Sequence, residues 1–238
     1  GIRDAQESRG LGDVYKRQNE YISYEDKFAL ESAAVKIIIE CAKKAISTYG
    51  EFSIVLAGGS TPKGVYSLLS KQDCDWSNWF IYYGDERCVA IDNQDRNNLM
   101  AESVWLDSVN VPKSHIFTIP SELGPVKGAD TYEELLSNKK TFDLVLLGLG
   151  DDGHIASLFP GVNHDDTKQA VPVIDAPKKP KERVSLSLSR LNNSNKIMFL
   201  VVGKNKFTAL EAMKLGKNEI ISKLKPKEKI ITLYSDVN

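Results

Sequence analysis

The chain has 238 residues with a formal net charge of -1, and 42% of its residues are hydrophobic while 26% are charged. This composition is typical of a globular protein with one substantial core, and the near-neutral charge argues against nucleic acid or a membrane surface as a partner. No apolar run reaches the ~18 residues of a membrane helix, and no histidine or cysteine cluster has the spacing of a zinc site. The three cysteines show no spacing typical of disulfide pairs, which predicts a reducing compartment, the cytoplasm.

The first 18 residues differ from the rest of the chain. Residues 1–18 are polar, show little periodicity and lack the apolar core of a signal peptide. A weakly basic, transit-like arm is one interpretation, but we favour an appended or mistranslated leader without stable structure. Residues 19–238 are then expected to form a single α/β domain.

A long amphipathic helix is predicted first, because apolar residues recur at helical spacing over residues 26–49 and Gly50 supplies a stop. Residues 52–57 are the first predicted strand. The turn that follows reads Gly58-Gly59-Ser60-Thr61-Pro62, with Thr61 as a suitable N-cap and Pro62 as a suitable first helical residue. The paired glycines, the hydroxyls and the N–H groups of a helix start predict a phosphate site, with a plain capped turn as the alternative.

The next predicted strand, residues 79–83, leads into Gly84-Asp85-Glu86-Arg87 at its carboxyl end. Since open α/β sheets bind ligands at that edge, these charged residues are candidates for the site. A solvated loop is the alternative, and it is the usual fate of such a charged run. Residues 97–106 and 131–136 are predicted as helical, and residues 116–119 as a short strand.

The most informative stretch follows the apolar run at residues 142–147, which predicts a buried parallel strand. Asp151, Asp152 and His154 come directly after it, where such sheets place their ligands, and this position predicts proton transfer by His154. Three glycines share the turn, where the chain bends sharply or a ligand approaches the backbone: Gly148, Gly150 and Gly153.

Two alternatives compete with that interpretation. The three glycines spell G-x-G-x-x-G after a strand, which is the dinucleotide fingerprint and requires a helix directly afterwards. Pro160 and Gly161 cut such a helix short, so no nicotinamide cofactor is expected. A purely structural histidine is the second alternative, and the glycines together with the adjacent aspartate favour a functional role instead.

The remaining elements complete an alternation of strands and helices. Residues 170–174 precede a segment rich in lysine and proline, and the alternating residues 184–188 predict a strand with one exposed face. Residues 197–202 are a fully apolar strand that ends before Gly203 and Lys206. A helix over residues 207–215 and a last strand over residues 230–234 follow. Such alternation predicts a doubly wound, largely parallel sheet with helices on both faces.

Four motifs together resemble the 6-phosphogluconolactonase family. They are Leu147-Gly148-Leu149-Gly150-Asp151-Asp152-Gly153-His154 with its continuation to Gly161, the Gly58–Pro62 turn, Gly84-Asp85-Glu86-Arg87-Cys88-Val89, and Val202-Gly203-Lys204-Asn205-Lys206. The resemblance spans about residue 20 to the end. The chain departs from the family pattern in two places, with Ala90 where proline is usual and Arg96-Asn97 where a Ser-Asn pair is usual.

The resemblance implies the fold of the glucosamine-6-phosphate deaminases and ribose-5-phosphate isomerases. It also implies hydrolysis of 6-phosphoglucono-δ-lactone to 6-phosphogluconate in the oxidative pentose phosphate pathway, without a cofactor or metal, by a monomer or small homo-oligomer. By this carry-over His154 is the general base, Asp152 its orienting partner, and Arg87 and Lys206 the main phosphate-binding cations. The predicted substrate site is completed by Gly58, Gly59, Ser60, Thr61, Asp85 and Gly153.

The residues suit this chemistry independently of the family name. A δ-lactone is an activated ester, so water and one base suffice, and the G-x-S-x-G elbow of a serine esterase is absent. A deaminase or isomerase of the same fold is the nearest alternative, but it would show D-E-Y in place of Asp85-Glu86-Arg87 and a glutamate within residues 156–160. A non-catalytic sugar-phosphate-binding regulator is another alternative, and it would not need both Asp152 and His154.

Overall fold

The computed structural model describes residues 19–139 and 141–237, and the predicted leader lies outside the described residues. Within these ranges the strands are β1 (Asn19–Ser23), β2 (Phe52–Leu56), β3 (Trp79–Tyr83), β4 (Asp85–Arg87), β5 (Ile116–Phe117), β6 (Phe142–Gly148), β7 (Ala170–Val173), β8 (Arg183–Leu186), β9 (Ser194–Val202) and β10 (Lys229–Ser235). The α-helices are α1 (Lys27–Tyr49), α2 (Ser60–Leu69), α3 (Asn97–Val104), α4 (Pro125–Leu136), α5 (Leu188–Asn192) and α6 (Phe207–Lys214).

Seven strands form the central sheet in the order β1-β10-β9-β6-β2-β3-β5, and every neighbouring pair is parallel. Parallel strands are normally covered on both faces, and β2 accordingly has all five of its residues buried. The predicted α/β class with a largely parallel sheet is confirmed. The edge strand β1, at residues where the sequence predicted no element, pairs with β10.

Helix α1 has the ends that the sequence predicted. The Asp26 side chain accepts a hydrogen bond from Ala29 N at 2.7 Å, and Gly50 closes the helix in the left-handed conformation with φ 81°. The buried face of α1 carries residues such as Leu30, Ala34 and Ile38, and the helix packs against β2, β6, β9, β10 and α2. The long amphipathic helix therefore covers the middle of the sheet.

The start of helix α2 differs from the prediction. Its N-cap is Gly59 and its first residue is Ser60, so the assignment of Thr61 as N-cap and Pro62 as first helical residue was wrong by two positions. Gly59 has φ 107°, which a residue with a side chain rarely adopts, and this allows the chain to enter the helix earlier. Pro62 is still tolerated, because the N–H groups of the first turn have no partner within the helix.

A second sheet, which the sequence did not predict, lies beside the central one. Strands β4, β8 and β7 pair antiparallel in that order. The solvated-loop alternative for residues 84–87 was wrong, because Asp85 and Glu86 are buried residues of strand β4. The expected exposed face of residues 184–188 was also wrong, since all four residues of β8 are buried between β4, β7 and helix α4.

The central sheet opens at its carboxyl edge between β2 and β6. These strands pair through two residue pairs, Ile54 with Leu144 and Val55 with Val145, and both strands continue beyond them. From β2 the chain proceeds to β3 on one side of the sheet, and from β6 it proceeds to β9 on the other. A cleft at such a reversal of strand order is the usual ligand site of an open α/β sheet.

None of the helices in the described residues combines the length and the apolar character that crossing a bilayer requires.

Candidate active site

A cleft with a volume of about 180 Å³ lies at this opening. The segments that follow four parallel strands meet there, since its walls come from the ends of β2, β3, β6 and the turn after β9. The residues lining it are Leu56, Ala57, Gly58, Gly59, Gly84, Asp85, Arg87, Asn97, Leu146, Leu147, Gly148, Leu149, Gly150, His154, Ala156, Arg183 and Lys206. The cleft is therefore formed largely by the segments that carry the sequence motifs.

His154 and Asp152 form a close pair at the end of β6. Asp152 Oδ1 lies 2.5 Å from His154 Nδ1 and also accepts the His154 backbone N–H at 3.2 Å. The imidazole lies against the Phe159 ring, with centroids 4.6 Å apart, and its side chain is 19% exposed. Because a carboxylate can only accept, Nδ1 carries the proton in this pair, and Nε2 is left with its lone pair.

The charge of Asp152 is maintained by its neighbours. Burial alone would raise the pKa of the Asp152 carboxyl, but hydrogen bonds from the His154 side chain and backbone and the charge of Lys178 outweigh burial, and the pKa is lowered. Asp152 is therefore ionised at neutral pH. An ionised carboxylate orients the imidazole and stabilises its protonated form, as the aspartate does in a Ser-His-Asp triad.

The glycines of this turn have distinct roles. A Cβ on Gly150 would lie 2.1 Å from His154 Nδ1 and 2.4 Å from Asp152 Oδ1, so the pair requires a glycine there. Gly153 has φ 85°, and a Cβ there would meet Asn218 Nδ2 at 2.6 Å, the atom that donates to the Gly153 carbonyl. Gly153 therefore shapes the turn and does not line the cleft.

Three cationic side chains line the cleft around His154: Arg87, Arg183 and Lys206. Arg87 Nη1 donates to the Asp95 carbonyl, which fixes one side of its guanidinium. Lys206 follows Gly203, whose φ of 108° turns the chain after β9. A cleft with three cations suits an anionic substrate.

Arg183 was not identified from the sequence. It is the first residue of β8, and its guanidinium donates to the carbonyls of Lys178, Lys179 and Pro180. Burial lowers its pKa, Arg87 adds to that effect, and Asp85 and Asp152 oppose it. Its signal in the sequence is its place directly before the alternating residues 184–188, which puts it at the start of a strand.

Asp85 lines the cleft within a hydrogen-bond network. Its Oδ2 accepts from Ser157 Oγ at 2.6 Å, and its carbonyl accepts from Asn97 Nδ2 at 2.9 Å. Asn97 lines the cleft as well and packs against Gly58, where a Cβ would lie 2.0 Å from Asn97 Oδ1. Asn97 thus links the turn at Gly58 to Asp85, which belong to two of the motifs that the sequence predicted for the site.

The predicted substrate residues are only partly brought together. Gly58 and Gly59 line the cleft, whereas Ser60 and Thr61 occupy the first turn of α2, with Ser60 exposed and Thr61 buried, and neither side chain is in the lining. The N-cap Gly59 offers no side-chain hydrogen bond to this turn. What α2 presents toward the cleft is therefore a helix start without a side-chain cap, which is a suitable place for an anion.

The departure at Arg96 affects the support of the cleft and not its lining. The Arg96 guanidinium is buried, where it pairs with Glu122 at 2.9 Å and donates to the Ile119 carbonyl at 3.0 Å. Asn97 beside it retains its place in the lining. Ala90 is exposed and is likewise absent from the lining.

Among the residues that the structure describes, no group of three or more histidine, cysteine, aspartate or glutamate side chains is placed to hold a metal ion. The three cysteines, Cys41, Cys74 and Cys88, are all unbridged.

Comparison with known proteins identifies the family of this chain. Residues 25–229 match the family model described as glucosamine-6-phosphate isomerases/6-phosphogluconolactonase. The chain belongs to this family.

Two members of the glucosamine-6-phosphate isomerase/6-phosphogluconolactonase family illustrate the relationship. A protein of Synechocystis named 6-phosphogluconolactonase is 37% identical over 176 residues, which are 70% of this chain and 73% of that protein. The crystal structure of 6-phosphogluconolactonase from Thermotoga maritima superposes with a TM-score of 0.85 at 27% identity, covering 92% of this chain and 100% of the other.

The family fold also includes enzymes with another activity. A monomeric glucosamine-6-phosphate deaminase superposes with a TM-score of 0.81 at 19% identity, over 92% of this chain and 98% of that chain. At that identity the likeness establishes the fold alone. The predicted relationship to the deaminase fold is thereby confirmed.

Proposed function

We propose that this chain is a 6-phosphogluconolactonase, a carboxylic ester hydrolase that converts 6-phosphoglucono-δ-lactone to 6-phosphogluconate in the oxidative pentose phosphate pathway. Membership of the family and the names of its relatives at 34–37% identity support this activity. The observation that carries the proposal is the His154–Asp152 pair beside a cleft lined by three cations. A base and an anion site in one cleft are what a phosphorylated lactone requires.

His154 is the general base of the proposed reaction. Its Nδ1–H is held by Asp152, so Nε2 accepts a proton from a water molecule as the water oxygen attacks the lactone carbonyl carbon, C1. The C1 carbonyl oxygen becomes an oxyanion. The tetrahedral intermediate then collapses, the bond between C1 and the ring oxygen breaks, and the imidazolium returns its proton to that ring oxygen.

The three cations of the cleft have two different roles in the proposed reaction. Arg183 lies within the lining and is influenced by the charges of both Asp85 and Asp152, so it is suited to stabilise negative charge developing near His154. Arg87 and Lys206, with the Gly58-Gly59 turn and the start of α2, hold the phosphate group. No covalent enzyme intermediate is required, because the lactone is already an activated ester.

The deaminase of the same fold is the alternative that an experiment must separate. Residues 156–160 read Ala-Ser-Leu-Phe-Pro and lack the glutamate expected for ring-opening chemistry. Ser157 in that segment instead donates to Asp85. A non-catalytic regulator is a further alternative, and it would have no use for a base that is oriented by a carboxylate.

Acid release tests the proposal directly. Freshly prepared 6-phosphogluconolactone is supplied to the purified chain in weak buffer, spontaneous hydrolysis is subtracted, and ammonia release from glucosamine 6-phosphate is measured in parallel. The proposal predicts rapid acid release and no ammonia. Ammonia production, or acid release at the spontaneous rate, would contradict it.

We also propose a cytoplasmic location and a monomer or small homo-oligomer, with the sugar-phosphate lactone as its small-molecule partner. Three unbridged cysteines support a reducing compartment. A chloroplastic 6-phosphogluconolactonase of Arabidopsis thaliana, 30% identical over 221 residues, shows that relatives also occupy another compartment. Fractionation of the source cells and light scattering of the purified chain test the two statements.

A further inference from the structure

The segment between β7 and β8, residues 174–182, carries a lysine that reaches the Asp152–His154 pair. Lys178 Nζ forms an ion pair with Asp151 Oδ1 and lies 3.7 Å from Asp152 Oδ2. The other oxygen of Asp152, Oδ1, is the one that binds His154 Nδ1. The two oxygens of this carboxylate therefore face an ammonium and an imidazole respectively.

Two sets of contacts fix the segment to the site. The Arg183 guanidinium donates to the Pro180 carbonyl at 2.9 Å and to the Lys178 carbonyl at 3.2 Å. Ala176 packs in a small buried cluster with Phe159, whose ring also contacts His154. Lys178 is thus held by the same side chains that line or support the cleft.

We propose that Lys178 is a positioning residue of the hydrolysis, which holds the Asp152 carboxylate toward His154 and limits how tightly the Asp152–His154 pair retains a proton. The inference rests on the proposed function, because it concerns the same proton transfer. Lys178 acts through Asp152 and not on the substrate. Its side chain is 41% exposed, so its contribution is that of a partly solvated charge.

The sign of the effect follows from the charges around the pair. The negative carboxylate of Asp152 stabilises a protonated imidazole, and a cation beside that carboxylate weakens this stabilisation. Without Lys178 the pair therefore holds its proton more tightly. On acidification, the imidazole then becomes protonated, and stops acting as a base, at a higher pH than in the wild type. Asp151 loses its ion-pair partner in the same variant, and its freed negative charge acts on the pair in the same direction. The other charged groups near the pair, which keep their surroundings, are Arg183, Lys206, Arg87 and Asp85.

The test is the pH dependence of kcat/KM for 6-phosphogluconolactone in Lys178→Met, measured beside the wild type so that titration of the substrate phosphate cancels in the ratio. We expect the acid limb to move to higher pH by about half a unit, as suits a partly exposed ion pair, with the loss in kcat and not in KM. Lys178→Arg should restore the wild-type limb. Lys178→Gln serves as a second neutral variant with the same expected shift.

Lys181→Met is the matched control, because Lys181 lies on the same segment, is exposed, and pairs with Asp175 at 2.6 Å. Its acid limb should coincide with that of the wild type. A folded Lys178→Met or Lys178→Gln enzyme with an unmoved limb, or an equal shift in Lys181→Met, would overturn the role of Lys178. A wild-type protein without lactonase activity would instead overturn the proposed function, so the two failures are distinguishable.

Discussion

At the level of single residues, the Asp152–His154 pair depends on a position without a side chain. Gly150 lies under the hydrogen bond between His154 and Asp152, and a Cβ there would overlap both of its atoms. Gly148 lies two residues earlier, and a Cβ there would meet nothing within 4 Å. The two glycines are close in sequence, but only at Gly150 would a side chain disturb the Asp152–His154 pair.

Gly150→Ala should separate His154 from Asp152 and lower kcat by at least about 10-fold, since an imidazole without its carboxylate is a poorly oriented base. The control is Gly148→Ala, which adds the same methyl group at the cleft without touching the pair and should act mainly on KM. Steady-state kinetics on folded proteins separate the two effects. Equal losses of kcat in both variants would contradict this role of Gly150.

Arg87 and Lys206 line the cleft and are the two cations proposed to hold the phosphate group. A hydrogen bond to a charged group contributes about 1.5–3 kcal/mol, so Arg87→Ala or Lys206→Ala should lower kcat/KM for the phosphorylated lactone by roughly 10- to 100-fold. Unphosphorylated gluconolactone, measured with the same variants, should be little affected because it has no phosphate to hold. If both substrates lose equally, the two side chains serve the structure or the lactone ring instead.

The sequence could predict some of these residues and not others. His154, Asp152, Arg87 and Lys206 each follow a predicted parallel strand, so their convergence follows from the sheet alone. Arg183 enters the cleft from an antiparallel strand of the second sheet. Such a pairing joins distant parts of the chain, and no local pattern reveals it. For the same reason no local pattern reveals Lys178, whose backbone is held by the Arg183 guanidinium.

At the scale of elements, the second sheet and helix α3 are joined by one buried carboxylate. Glu86 Oε1 accepts from Asn97 N at 2.8 Å and Oε2 accepts from Asn98 N at 2.9 Å, so Glu86 caps the start of α3. Burial raises the pKa of Glu86, and the hydrogen bonds from Asn97, Asn98 and Arg87 oppose that rise. This cap places Asn97 in the cleft.

Glu86→Gln should lower the free energy of unfolding by about 1–3 kcal/mol, because the amide NH₂ group cannot accept from the backbone N–H it would face. It should also lower kcat/KM, since Asn97 loses its anchor. Chemical denaturation and steady-state kinetics measure the two effects. Glu25→Gln, at an exposed position before α1, is the control and should change neither quantity. A Glu86→Gln protein as stable as the wild type would contradict the capping role.

The elements also show where local sequence patterns are insufficient. The span of α1 was predicted from the helical spacing of its apolar residues and from Gly50, both of which are local signals, and the structure adds the cap at Asp26. At α2 the same reasoning chose Thr61, and the chain used Gly59, since the backbone conformation after β2 outweighs a side-chain cap. Strand β8 alternates polar and apolar residues, yet Ser185 is buried because its hydroxyl donates to the Leu186 carbonyl within the sheet.

At the scale of the whole molecule, the position of the cleft follows from the order of the strands. Strands β2 and β6 are neighbours, and the chain leaves them in opposite directions across the sheet. The alternation of strands and helices predicts a parallel sheet, and the motifs indicate which strand ends carry chemistry. Strand order itself was not predicted from the pattern, because it depends on long-range pairing. The family resemblance supplied the fold, which the comparisons confirm.

The proposed role of His154 as the proton carrier of lactone hydrolysis is tested by the kcat of His154→Asn on 6-phosphogluconolactone, with circular dichroism to confirm the fold. Asparagine keeps a polar side chain and removes the titratable base, so we predict a loss of about 10²–10⁴-fold. Asp152→Asn should lose less, because the imidazole remains without its orienting carboxylate. A folded His154→Asn protein with near wild-type turnover would contradict the mechanism.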